Sequence, residues 1–128
     1  MAGYSKLFSD SMLAYGDLSA YQYHWMKISS SRTVNLCGNT EQPYGILQND
    51  PAAAGRPAEV MVYGISNLVA GGSITAGNLV GSDTNGHGVA VSTDDLYFGG
   101  IAREDAATSD IFSILLTPGG VISGSGDD

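Results

Sequence analysis

The densest group of residues able to do chemistry lies in "LVGSDTNGHGVAVSTDD", residues 79–95. A calcium loop places oxygen ligands at positions 1, 3, 5, 9 and 12, with Gly at position 6 for the sharp turn. Counted from Asp83, positions 1, 3 and 6 match as Asp83, Asn85 and Gly88. Position 5 is His87, a poor ligand for a hard cation, and position 9 is Val91. Position 12 is Asp94, shorter in reach than the usual bidentate Glu. The flanks "NLVGS" and "GVAVS" have strand texture, whereas such a loop sits between helices. A tight reversal needs the same residue types. Asp83 closes an Asx-type turn, Asn85-Gly86 supplies positive φ, and Gly88 restarts the strand. The sequence predicts a hairpin tip that holds no metal.

"NGHG" is also similar to the histidine segment of subtilisin-like proteases. That chemistry requires a histidine opening a helix, an upstream Asp strand, a glycine-flanked Ser downstream and a longer chain. A Ser–His–Asp set assembled from His24 or His87 has no geometry fixed by the sequence. His24, between Tyr23 and Trp25, has no second His or carboxylate nearby at metal spacing, and reads as a surface or packed side chain. Cys37 has no basic neighbour to stabilise a thiolate and reads as a small buried apolar residue. "AGGSITAG" lacks both the phosphate-loop lysine and the full dinucleotide pattern. Asp94-Asp95 and Glu104-Asp105 read as solvated loop charges. The chain is therefore expected to carry no catalytic centre, metal site or cofactor.

The elements that would position these residues must fit one domain of 128 residues. Five basic against thirteen acidic residues give a formal charge of −8. A surface of that sign repels phosphate backbones, so nucleic acid is not an expected partner. One cysteine excludes an internal disulfide. No apolar run reaches membrane-spanning length, and the chain opens without a charged-then-apolar leader. It reads as soluble, without membrane partners.

Gly is abundant at 18 residues while Lys and Glu are scarce, which favours turns and strands. Short apolar runs separated by turn residues predict strands over 21–29, 33–38, 44–48 and 58–66. Two more are expected within 67–81, and others over 88–92, 97–103 and 110–116. Tyr21, Tyr23 and Trp25 would share one face of the first, and 58–66 is the candidate central strand. The expected class is all-β, a small sandwich or barrel of about eight short strands. Residues 1–20 read as an extended N-terminal arm. Phe8, Met12 and Tyr15 also allow a short amphipathic helix there. Residues 21–120 form the β-domain, and 121–128 a flexible acidic tail.

The order "YGILQNDPAAAGRPAEVMVYGISNLVAGGSITAGNLVGSDTNGHGVAV" then "FGGIAREDAATSDIFSILLTPGG" resembles tailed-bacteriophage capsid decoration, or cement, proteins. The matches are Gly45 to Asn49 with Pro51 to Gly55, Val69 to Val91, and Gly100 to Gly120; residues 1–30 match nothing in the family pattern. The resemblance implies a β-protein on the outside of the virion capsid, usually trimeric. It would bind the major capsid protein and brace the shell against internal DNA pressure. Tyr, Trp, Met and Arg dominate interface energetics, and the N-terminal third concentrates them. Interface candidates are Tyr4, Phe8, Tyr15, Tyr21, Arg32 and Arg56, while Tyr23 and Trp25 are expected to fill the core. The competing reading is a carbohydrate- or cell-surface-binding module stacking exposed aromatics on sugars.

Overall fold

The structure, a computed structural model, describes residues 6–91 and 97–121. Nine strands follow one another with no helix among the described residues: β1 (Lys6–Ala14), β2 (Trp25–Ser30), β3 (Thr33–Leu36), β4 (Gly45–Leu47), β5 (Pro57–Val69), β6 (Leu79–Ser82), β7 (Gly88–Ala90), β8 (Tyr97–Ala102) and β9 (Ile111–Val121). They form one sheet in the order β1-β3-β2-β4-β5-β9-β8-β6-β7, and β1 also pairs with β5. That second pairing closes β1, β3, β2, β4 and β5 into a five-stranded barrel. Strands β9, β8, β6 and β7 extend from the same β5 as a second layer.

Strand β5 belongs to both layers. Its first half pairs with β1 from Leu13↔Pro57 to Phe8↔Tyr63, and its second half pairs with β9 from Gly64↔Leu116 to Val69↔Ile111. Gly64 sits at the changeover with φ +123, a backbone region that L side chains rarely adopt. The expected central strand is thus central, and runs three residues further than its apolar run over 58–66.

Period-two alternation explains why adjacent residues such as Trp25-Met26, Ile46-Leu47 and Val60-Met61 are all apolar. Met26, Leu47 and Val60 point into the barrel, with Met12, Ala14, Val34 and Ala58. Their neighbours Trp25, Ile46 and Met61 point outward against Leu68, Val80, Phe112, Ile114 and Leu116 of the second layer. Where Trp25-Met26, Ile46-Leu47 and Val60-Met61 lie, both faces of the strands are covered, so neither face needs polar residues there.

Trp25 is the largest side chain between the layers and is fully buried. Its indole Nε1 donates to the Gly81 carbonyl of β6 at 2.9 Å. Gly99 of β8 lies against the ring, where an added Cβ would stand 2.6 Å from Cη2. A glycine there makes room for the indole. A side chain of barrel strand β2 is thereby fixed to two strands of the second layer.

Two local expectations, a strand over all of 21–29 and the short helix allowed at Phe8, Met12 and Tyr15, are replaced by other structure. Residues 21–24 are turns: Tyr21 N donates to Leu18 O, His24 N donates to Tyr21 O, and Tyr23 has φ +65. The apolar alternation of Tyr21, Tyr23 and Trp25 was satisfied by packing from a turn, so strand β2 starts only at Trp25. Within the stretch expected as an arm or short helix, residues 6–14 form β1. Met12 and Ala14 are buried and Leu13 is exposed, the period of a strand, not a helix. Tyr4 and the tail beyond Val121 lie outside the described residues.

Candidate functional site

Loop 83–87 forms the expected hairpin tip between β6 and β7, with Val80↔Ala90, Gly81↔Val89 and Ser82↔Gly88 in register. Asp83 Oδ1 accepts from the amides of Asn85 at 2.8 Å and His87 at 2.9 Å. Asp83 Oδ2 lies 3.1 Å from His87 Nδ1. Gly86 takes φ +78. The carboxylate is therefore engaged by its own turn. Asp94, the twelfth position of the calcium pattern, lies outside the described residues.

The fold supplies His24 with a histidine partner that residue spacing did not reveal. The ring centroids of His24 and His87 are 4.8 Å apart, and Tyr21 meets His24 edge-on at 5.4 Å. His24 is 8% exposed, and its Nδ1 faces the Gln22 carbonyl at 3.1 Å. Burial holds its pKa below the ordinary imidazole value. Among the described residues neither imidazole hydrogen-bonds a serine or cysteine, and no three His, Cys, Asp or Glu side chains are grouped to hold a metal. The cluster joins parts of the fold: Trp25 N donates to Gly86 O at 2.7 Å, so the hairpin tip is hydrogen-bonded to the start of β2.

Cys37 is fully buried beneath Ser82, and burial pushes its thiol up to about 11. That agrees with the apolar role read from sequence and leaves it no thiolate character near neutral pH.

The candidate interface residues separate into groups. Phe8 is exposed beside Tyr63 on β5, at the far end of β1 from Tyr15. Tyr21 is half-buried, packed on the barrel core and against His24. Tyr15, Arg32 and Arg56 come together at one end of the barrel. Leu13 N donates to Arg32 O, Ala14 N to Arg56 O, and Tyr15 N to Val34 O, each at 2.9 Å. The end of β1 thus lies between the β2–β3 turn, which carries Arg32, and the start of β5, which follows Arg56.

Two exposed apolar residues at this end were missed from sequence, Leu13 at 44% and Ile28 at 52% exposure. Tyr15 is 61% exposed. Ile28 pairs with Val34, whose carbonyl Tyr15 reaches from the other side. Alternation with buried Met12 and Ala14 would have marked Leu13 as outward once β1 was read as a strand.

A second apolar row crosses the outer layer. Leu79 pairs with Ile101, Ile101 with Leu115, and Leu115 with Ile65, spanning β6, β8, β9 and β5.

The model of a family described as phage cement protein matches residues 23–117 of this chain. No curated protein matches it. Among solved structures, the head fiber gp8.5 N base of bacteriophage phi29 superposes with a TM-score of 0.68 at 16% identity. The superposition covers 86% of this chain and 93% of that one. At that identity the likeness concerns the fold.

Proposed function

The chain belongs to the phage cement protein family, a structural class of the phage capsid, and on that premise we propose that it binds the outer surface of the major capsid protein and braces the shell. The family match carries this reading, because it spans both layers, from Tyr23 at the junction to Thr117 in β9. The physical properties support it. A brace must be rigid, and here Trp25 and the closed barrel couple the two layers. Its net charge of −8 keeps it from competing for the packaged genome. A shell repeats each site many times, so modest contacts gain avidity, and the more so if the protein docks as a trimer. The carbohydrate reading loses its strongest stacking residue, since Trp25 is fully buried.

The test is stoichiometry and strength. Purified particles should contain this chain in fixed ratio to the capsid protein, on the outside, where added protease or antibody reaches it. Particles assembled without it should lose their DNA at lower temperature. Absence from purified particles, or unchanged heat resistance without it, would overturn the reading.

A further inference from the structure

We propose that the barrel end bearing Leu13, Tyr15, Arg32 and Arg56 is the docking surface, and that its partner is a carboxylate-bearing protein surface on the capsid shell. This deepens the capsid-binding reading above and rests on it.

The placement comes from the backbone. Consecutive amides of β1, Leu13 N and Ala14 N, donate to Arg32 O and Arg56 O. Consecutive amides of a strand point to opposite sides, so the two arginines flank β1. Two strand spacings separate them, about 10 Å. Between and beside them stand the exposed side chains of Leu13, Tyr15 and Ile28.

The two arginines at this end are uncommitted among the described residues. Elsewhere, Lys27 Nζ is held by Glu41 at 2.7 Å, and Arg103 Nη1 donates to Ser113 Oγ at 2.7 Å. Arg32 and Arg56 make no side-chain hydrogen bond or ion pair among the described residues. Two such guanidiniums stand on segments that both border β1, in a chain with only five basic residues. They match carboxylates, to which Arg binds in bidentate fashion. Two cations within so acidic a protein do not make a phosphate-backbone site.

The backbone at Arg32 adds a separate observation. It takes φ +55 in the tight β2–β3 turn, where glycine or asparagine would fit without strain. An arginine held in the left-handed region costs stability, and its side chain makes no hydrogen bond or ion pair among the described residues. Such an outlier points to selection for what the side chain meets outside the chain. Exposed Tyr with Arg, ringed by apolar surface, is the composition of an interface centre.

The experiment measures binding of the full-length protein to capsid shells stripped of it, using Arg32→Gly, Arg56→Gln, the double variant, and Arg103→Gln as control. Each single change should weaken binding about ten-fold, and the double change about 100-fold. The double variant should also lose most of the salt dependence seen in wild type. Arg32→Gly should melt at or above the wild-type temperature, separating lost binding from lost folding. Arg103→Gln should bind like wild type. A double variant that binds like wild type sinks this surface and leaves the capsid reading standing. Wild type that ignores stripped shells sinks both. A double variant whose sedimentation shows lost self-association, with shell binding intact, gives the surface to a second copy and overturns the proposal.

Discussion

The imidazoles of His24 and His87 lie 4.8 Å apart, centroid to centroid, although one precedes the first barrel strand after the N-terminal turn and the other closes the β6–β7 hairpin. Asp83 faces His87, and the Tyr21 ring covers His24. The contact spans the junction between the barrel and the outer layer. Its state of protonation therefore bears on how firmly the hairpin tip is held.

Stability should fall as pH drops through the histidine range. His24 is held below its ordinary value of 6.5 by burial first and by the His87 charge further down, while Gln22 O and Asp83 oppose the shift. Above about 6.5 this contribution is intact. Below it the unfolded chain takes up a proton that the folded His24 resists, so unfolding becomes easier. Glu41, depressed by its Lys27 partner, acts only at lower pH, near and below 4.5. Urea unfolding of wild type at pH 7.5 and 5.5 should show the loss, and His24→Gln should show less of it. Equal pH slopes in the two proteins would count against this account.

The indole junction should be the most costly place to disturb the core. Trp25→Ala removes a fully buried side chain and leaves the Gly81 carbonyl without its donor, a loss of about 3–5 kcal/mol. Gly99→Ala presses a methyl against Cη2 and Cζ3 from the other side, costing about 1–3 kcal/mol. Denaturant midpoints at constant m-value report both, and a Gly99→Ala protein as stable as wild type would contradict the packing.

The hairpin tip should respond to its turn chemistry and not to calcium. Asp83→Ala strips two amides and His87 of their acceptor, for about 1–3 kcal/mol. Gly86→Ala adds a left-handed penalty to contacts with Leu36 and Trp25 O, and should cost more than Gly55→Ala. Gly55 has a similar φ and open space, so only about 1 kcal/mol is at stake there. Melting curves with calcium and with chelator should superpose. A calcium-dependent rise abolished by Asp83→Ala would restore the metal reading.

The thiol should be inert in the native protein. With its pKa pushed up to about 11 by burial, Cys37 stays protonated at pH 8 and is shielded from reagent. A disulfide reagent should label it only after unfolding, at a rate that follows the opening of the fold. Rapid labelling of native protein would show that the site is open.

Much of the fold was legible because strand alternation and turn chemistry are local. "AEVMVYGIS" reads as a continuous apolar strand at the centre of the sheet, and "SDTNGHG" as a tip, since Asp83 bonds amides only two and four residues away. The N-terminal segment misled because β1 is short in apolar contrast and its Ser and Asp residues face neighbours far along the chain. Ser9 Oγ donates to Glu59, and Tyr44 donates to Asp10 at 2.6 Å. Tyr21 and Tyr23 misled because aromatic spacing alone cannot distinguish a strand face from a turn folded onto the core.

By itself the sequence determined the all-β class, the acidic surface, the hairpin at Asp83–His87 and the inert Cys37, since each depends on composition or on neighbours within a few residues. Only the tertiary structure decided that β1 closes a barrel with β5, that Trp25 locks two layers together, and that His24 meets His87. It also decided that Tyr15, Arg32 and Arg56 share one end of the molecule. Those outcomes depend on which strands lie side by side, and strand pairing between distant segments is fixed by the packing of the whole core.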